Sequence, residues 1–195
     1  MKKKLLVLCL VVMFVLPATV FAGGFLGLKV GATAVLNEGF NMDYPEETDF
    51  SEVGLESFLY GADVRLNISV AEIAALLVVQ PLSDGTYVAG GLLGLGLSVE
   101  LLGLVDLGVT AGPFLVADID GDLMDPRFDP EDFESFPLRI RATADVNLGG
   151  FSVGGYVMID PVLTIGDLMD PAFDPSTVEV DTTAFVGLSV LVSLL

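Results

Sequence analysis

Phe58-Leu59-Tyr60-Gly61-Ala62-Asp63-Val64-Arg65-Leu66-Asn67-Ile68-Ser69-Val70 alternates without a break. Phe58, Tyr60, Ala62, Val64, Leu66, Ile68 and Val70 fall on one side, and Leu59, Gly61, Asp63, Arg65, Asn67 and Ser69 on the other. A period of two belongs to a β-strand, whose successive side chains point to opposite faces, whereas a helix would scatter both sets around its circumference. The pattern returns over 138–148, with Leu138, Ile140, Ala142, Ala144, Val146 and Leu148 opposite Arg139, Arg141, Thr143, Asp145 and Asn147. It returns again over 26–36 and over 183–195.

Between these segments, 73–116 is almost continuously apolar and rich in glycine. Two readings compete for it: a glycine-rich pair of membrane helices, or strands with small residues on one face. Glu100 and Asp106 favour strands, because every second residue of a barrel strand looks inward, away from lipid. The chain then divides into about eight strands, at 24–36, 54–70, 73–80, 86–101, 103–116, 137–148, 151–160 and 182–195. Connections at 71–72, near 102 and at 149–150 are tight. Those at 37–53, 81–85, 117–136 and 161–181 are mostly long, and the long ones hold Pro45, Pro126, Pro130, Pro161, Pro171 and Pro175.

Charge follows the same division. The chain is 53% hydrophobic, yet it carries 27 acidic residues against 8 basic ones. Such a surface repels a nucleic-acid backbone, and so apolar a composition does not suit a disordered acidic chain. Both properties fit one protein if acids and apolar residues occupy different zones, and the long connections 37–53, 117–136 and 161–181 hold 19 of the 27 acids.

Residues 1–22 read as a secretory signal: Lys2, Lys3 and Lys4, an apolar run, then Val20-Phe21-Ala22 as the exit. The expected mature domain is 23–195, with five basic residues (Lys29, Arg65, Arg127, Arg139 and Arg141) and no cysteine. Aromatic residues near strand ends (Phe25, Phe58, Tyr60, Tyr87, Phe114, Phe136, Phe151 and Phe185) suggest interfacial girdles.

In this pattern of strands, short turns and long acidic loops, the mature chain resembles the small eight-stranded bacterial outer-membrane β-barrel proteins. The resemblance implies an antiparallel up-and-down transmembrane barrel in the outer membrane, with outer-membrane lipid and the barrel assembly machinery as partners. Members of that group end in an aromatic residue at the foot of the last strand. This chain ends Leu191-Val192-Ser193-Leu194-Leu195, with the alternation and without the aromatic.

Histidine is absent and the single cysteine, Cys9, falls in the signal, so imidazole and thiolate chemistry is excluded. No residue pattern indicates a catalytic or cofactor site, and a non-enzymatic role is expected. The inward faces collect Lys29, Arg65, Arg139 and Arg141 with Asp63, Glu100, Asp106 and Asp145, a balanced set expected to plug the lumen of a narrow barrel. The decapeptide Gly121-Asp122-Leu123-Met124-Asp125-Pro126-Arg127-Phe128-Asp129-Pro130 recurs as Gly166-Asp167-Leu168-Met169-Asp170-Pro171-Ala172-Phe173-Asp174-Pro175. Around the first copy, Asp118, Asp120, Asp122, Asp125 and Asp129 are candidate calcium ligands or an acidic face for an extracellular partner, or simply a solvated rim. The leading expectation is a structural or surface-interaction barrel. The alternatives are a small ion or solute channel and a soluble secreted ligand-binding barrel.

Overall fold

Backbone pairing follows the alternation. A computed structural model describes residues 26–36, 40–41, 57–81, 86–120, 123–126, 134, 136–174, 178 and 180–194. The expected signal, 1–22, and nearly all of the first long loop lie outside them. The elements are β1 (Leu26–Leu36), β2 (Phe40–Asn41), β3 (Phe58–Ile68), β4 (Ala71–Pro81), β5 (Tyr87–Leu101), β6 (Val105–Asp120), β7 (Leu123–Pro126), β8 (Leu138–Asn147), β9 (Phe151–Pro161), α1 (Ile165–Met169) and β10 (Val180–Ser193).

Eight of the strands close on themselves in the order β1-β3-β4-β5-β6-β8-β9-β10, with β10 returning to β1, and every pairing is antiparallel. The remaining two are short additions, β2 on β10 and β7 on β6. Stepping from partner to partner, Leu26 leads through Ile68, Ala71, Leu97, Val109, Ala142 and Val157 to Val186, whose neighbour Gly187 pairs with Val35. The circuit starts at one end of β1 and returns near the other, a stagger of about ten residues, so the strands are strongly tilted and the interior is only as wide as side chains can fill.

The two faces have opposite chemistry. Leu93, Leu95 and Leu97 are 59%, 66% and 64% exposed, and Leu77, Val109, Leu188 and Val190 join them on the outside. Among the barrel-strand residues whose side chains are described, no charged one lies on the outward face. Arg65, Arg141, Asp63 and Asp145 are instead buried within.

Several boundaries depart from the sequence reading. The segment expected at 73–80 is the 11-residue β4, Ala71–Pro81, and the turn expected at 71–72 is Ser69-Val70. Ser69 makes that turn with a positive φ of 59°. Both faces of β4 are apolar over Ala74–Val78, which hides the alternation that places Glu72 inside. The connection 117–136 is not all loop: β6 runs on to Asp120 and β7 folds back on it. The connection 161–181 contains α1 and the start of β10. Three aromatics expected in a girdle are not on the outer face: Phe114 and Phe185 pack against the interior cluster, and Phe136 is buried. Tyr60, Tyr87 and Phe151 are exposed, and Phe25 lies outside the described residues.

Inside, Val35, Leu76, Val78, Leu92, Tyr156 and Met158 form an apolar layer toward the long-connection end, flanked by Leu59, Phe114 and Phe185. Tyr156 fits there because Gly187 has no side chain: a Cβ on Gly187 would lie 2.2 Å from the ring's Cζ. Gly187→Ala therefore forces the ring aside and is expected to lower unfolding free energy in urea by about 1–3 kcal/mol. Gly155, whose Cβ would meet only ordinary contacts at 3.6 Å and beyond, serves as the control, with Gly155→Ala expected within about 0.5 kcal/mol of wild type.

Candidate functional site

The site is the charged interior between the apolar layer and the short turns. Alternation aims Asp63 and Arg65 of β3 inward, and in the barrel order β3 stands directly opposite β8, which supplies Arg141 and Asp145. Asp63, fully buried, accepts hydrogen bonds from Arg65 Nη2 at 2.8 Å and Nε at 3.2 Å, and from Arg141 Nη1 at 3.0 Å. Arg141 Nη2 donates to it as well, and Ser189 Oγ of β10 donates at 2.8 Å. Arg65 Nη1 reaches across to Asp145. The result is a chain, Arg141–Asp63–Arg65–Asp145, that ties opposite walls together.

A second brace repeats this geometry nearer the short turns. Lys29 of β1 pairs with Asp106 of β6, again directly across the barrel, and donates to Asn147 Oδ1 at 3.0 Å. Ser152 donates to the same oxygen at 2.7 Å. Tyr156 lies under the Arg141 guanidinium, 4.0 Å from carbon to ring centroid, and its hydroxyl is 2.6 Å from that of Thr33. Thr33 in turn donates to the Leu188 carbonyl at 2.9 Å. Arg139 stands apart toward the long-connection end, where it forms a forked pair with Asp160 at 2.5 Å and stacks on Phe114 and Phe185 at 3.6 and 4.6 Å.

Seven of the eight lumen residues expected from sequence thus sit in ion pairs, although Arg139 pairs with Asp160 on the neighbouring strand and not with any of the other seven. Glu100 lies at the rim, directly opposite Asp106 in register and beside Gly103 of the turn. Sequence reasoning missed Glu72, 4% exposed, because it was placed in a turn. It also left Asp160 out, because that residue closes a strand where an acidic loop begins. Thr33, Asn67, Ser98, Ser152, Tyr156 and Ser189 sit on inward positions of their strands, and that parity is the signal that could have found them.

The calcium candidate Asp118 belongs to β6, not to a loop, and lies opposite Asp125 of β7 in register. Asp122 and Asp129 lie outside the described residues. Among the described residues, no group of three or more carboxylates is placed to hold a metal ion.

The second copy of the decapeptide is ordered by its cap. Thr164 N–H and hydroxyl donate to Asp167 Oδ2 at 2.7 and 2.8 Å, and Asp167 N–H returns a bond to Thr164 Oγ1 at 3.3 Å. This capping box starts α1. Leu168 and Met169 remain 53% and 65% exposed on it.

Asp63→Ala leaves two buried arginines without their shared carboxylate and should cost about 3–5 kcal/mol of unfolding free energy. Arg65→Ala in the Asp63→Ala background should then cost far less than Arg65→Ala alone, a double-mutant cycle read by urea titration. At the cap, the backbone N–H of Thr164, followed by its hydroxyl, holds the Asp167 carboxyl below the ordinary aspartate range. A depressed carboxylate stabilises above its unfolded value and loses that contribution as pH falls through its folded value. Nuclear magnetic resonance should therefore show the helical shifts of 165–169 at neutral pH, fading in acid, and absent at both in Thr164→Ile.

No protein-family description matches the chain, and no curated protein matches it in sequence.

Proposed function

We propose that the protein is a non-conducting barrel of the bacterial outer membrane that anchors and displays its acidic connections at the cell surface, without an enzymatic role. One observation carries this reading: a closed eight-stranded barrel whose outward face is apolar on every strand, while its charges are turned inward. In water that arrangement would expose a continuous greasy belt far larger than a soluble protein keeps. In hydrocarbon it is what a barrel needs, because closure satisfies each backbone amide and leaves the outside to meet lipid.

The lumen argues for an anchor over a channel. Two ionic braces cross it, and the layer of Val35, Leu76, Val78, Leu92, Tyr156 and Met158 fills the rest of its section. An ion would have to break paired charges and then cross an apolar constriction. The extramembrane connections are the parts left free to vary and to meet a partner, and they carry most of the negative charge.

Heating is the direct test. Extracted from membranes in detergent, the protein should migrate as a compact band unheated and shift on boiling, because closed barrels resist unfolding in cold detergent. Reconstituted in a planar bilayer, it should give no discrete conductance steps. Recovery in the soluble fraction would overturn the membrane reading, and stable unitary steps would make the protein a channel.

A further inference from the structure

Apart from Glu100 at the rim, the ionic interior contains one carboxylate too many. Below the apolar layer, Lys29, Arg65 and Arg141 face Asp63, Asp106 and Asp145 in pairs, and Glu72 is left over. Its side-chain hydrogen bonds, from Ser98 and from Asn67 Nδ2 to Oε2 at 3.4 Å, are uncharged. Its other oxygen, Oε1, is buried with no partner, as is Oδ1 of Asp145. A buried carboxylate in this position is costly unless something positive accompanies it.

Space for such a companion lies beside it. Glu72, Asp106, Asp145, Ser98 and Thr143 line a cavity of about 10 Å³, which Gly108 leaves open. A Cβ on Gly108 would stand 2.7 Å from Thr143 Oγ1 and 3.3 and 3.5 Å from the two Glu72 oxygens. Thr143 Oγ1 and both Glu72 oxygens therefore border the space that Gly108 leaves open, and the room is that of a single particle no larger than water.

We infer that this cavity is a binding site for one small monovalent cation of sodium size, held by Glu72 and its oxygen neighbours to neutralise the surplus charge. All its ligands are oxygens, as a hard cation prefers, and a single charge suffices because one carboxylate is in excess. A divalent ion would overcompensate a single excess carboxylate, because Lys29 and Arg65, which line the same cavity, already neutralise Asp63, Asp106 and Asp145 together with Arg141. The inference rests on the barrel interior alone and does not depend on where the barrel resides.

The test compares urea unfolding midpoints of the refolded full chain in sodium, potassium and choline chloride at one ionic strength. The wild-type midpoint should rise saturably with sodium, less with potassium and not with choline, since a ligand bound only by the native state stabilises it by mass action. Glu72→Gln removes the surplus charge and Gly108→Ala fills the cavity, so each should abolish the sodium-dependent rise. The wild-type comparison stands by itself if either variant does not fold. Equal wild-type midpoints in sodium and choline would overturn the site, as would a sodium response retained in Glu72→Gln. An infrared band of a protonated carboxyl that disappears in Glu72→Gln would also overturn it, identifying a proton as the neutralising charge.

Discussion

The width of the barrel governs the rest of the molecule. Eight strands staggered by about ten residues leave an interior in which side chains from opposite walls can touch, and that reach allows Arg141 of β8 to meet Asp63 of β3. A wider barrel would leave the same charges facing water, and a flatter sheet would put them on one exposed surface. Closure also pairs the backbone of every barrel strand, which frees the outer face to be apolar.

Within that narrow column the charges act mainly as a register device. A buried ion pair contributes little net stability once its desolvation is counted, but an unpaired partner is expensive. Slipping one strand by a residue would turn its inward charges outward and strand their partners inside. Asp63 links three walls, β3, β8 and β10, so a slip at any of them breaks contacts at a single carboxylate. The apolar layer above adds packing, and its Tyr156 connects the two regions through Arg141 and Thr33.

The repeated decapeptide shows how far neighbours decide local structure. Leu123-Met124-Asp125-Pro126 is strand β7 on the overhanging edge of β6, whereas the same four residues at 168–171 begin in helix α1 and end in the turn after it. The difference lies just upstream. Thr164 caps α1 through Asp167, and the equivalent position in the first copy is Ile119, which has no oxygen to accept an amide and instead pairs with Met124 in the sheet. Helix propensity over five residues is too weak to override either a missing cap or an available strand edge.

The period-two alternation by itself determined the strands of β3, β8 and β1, the inward direction of Lys29, Asp63, Arg65, Asp106, Arg141 and Asp145, and the division of the chain between short turns and long acidic connections, because side-chain direction along a strand is a local property. It was silent where both faces are apolar, as at β4, since the interior there is packed with Leu76 and Val78 and presents no polar contrast; Glu72 was lost with it. The choice of partners belongs to the tertiary structure alone. Nothing in spacing says that β3 faces β8, that Arg139 turns to Asp160, or that Phe114 and Phe185 fold inward over it, because those contacts depend on strand order, stagger and the diameter that closure imposes.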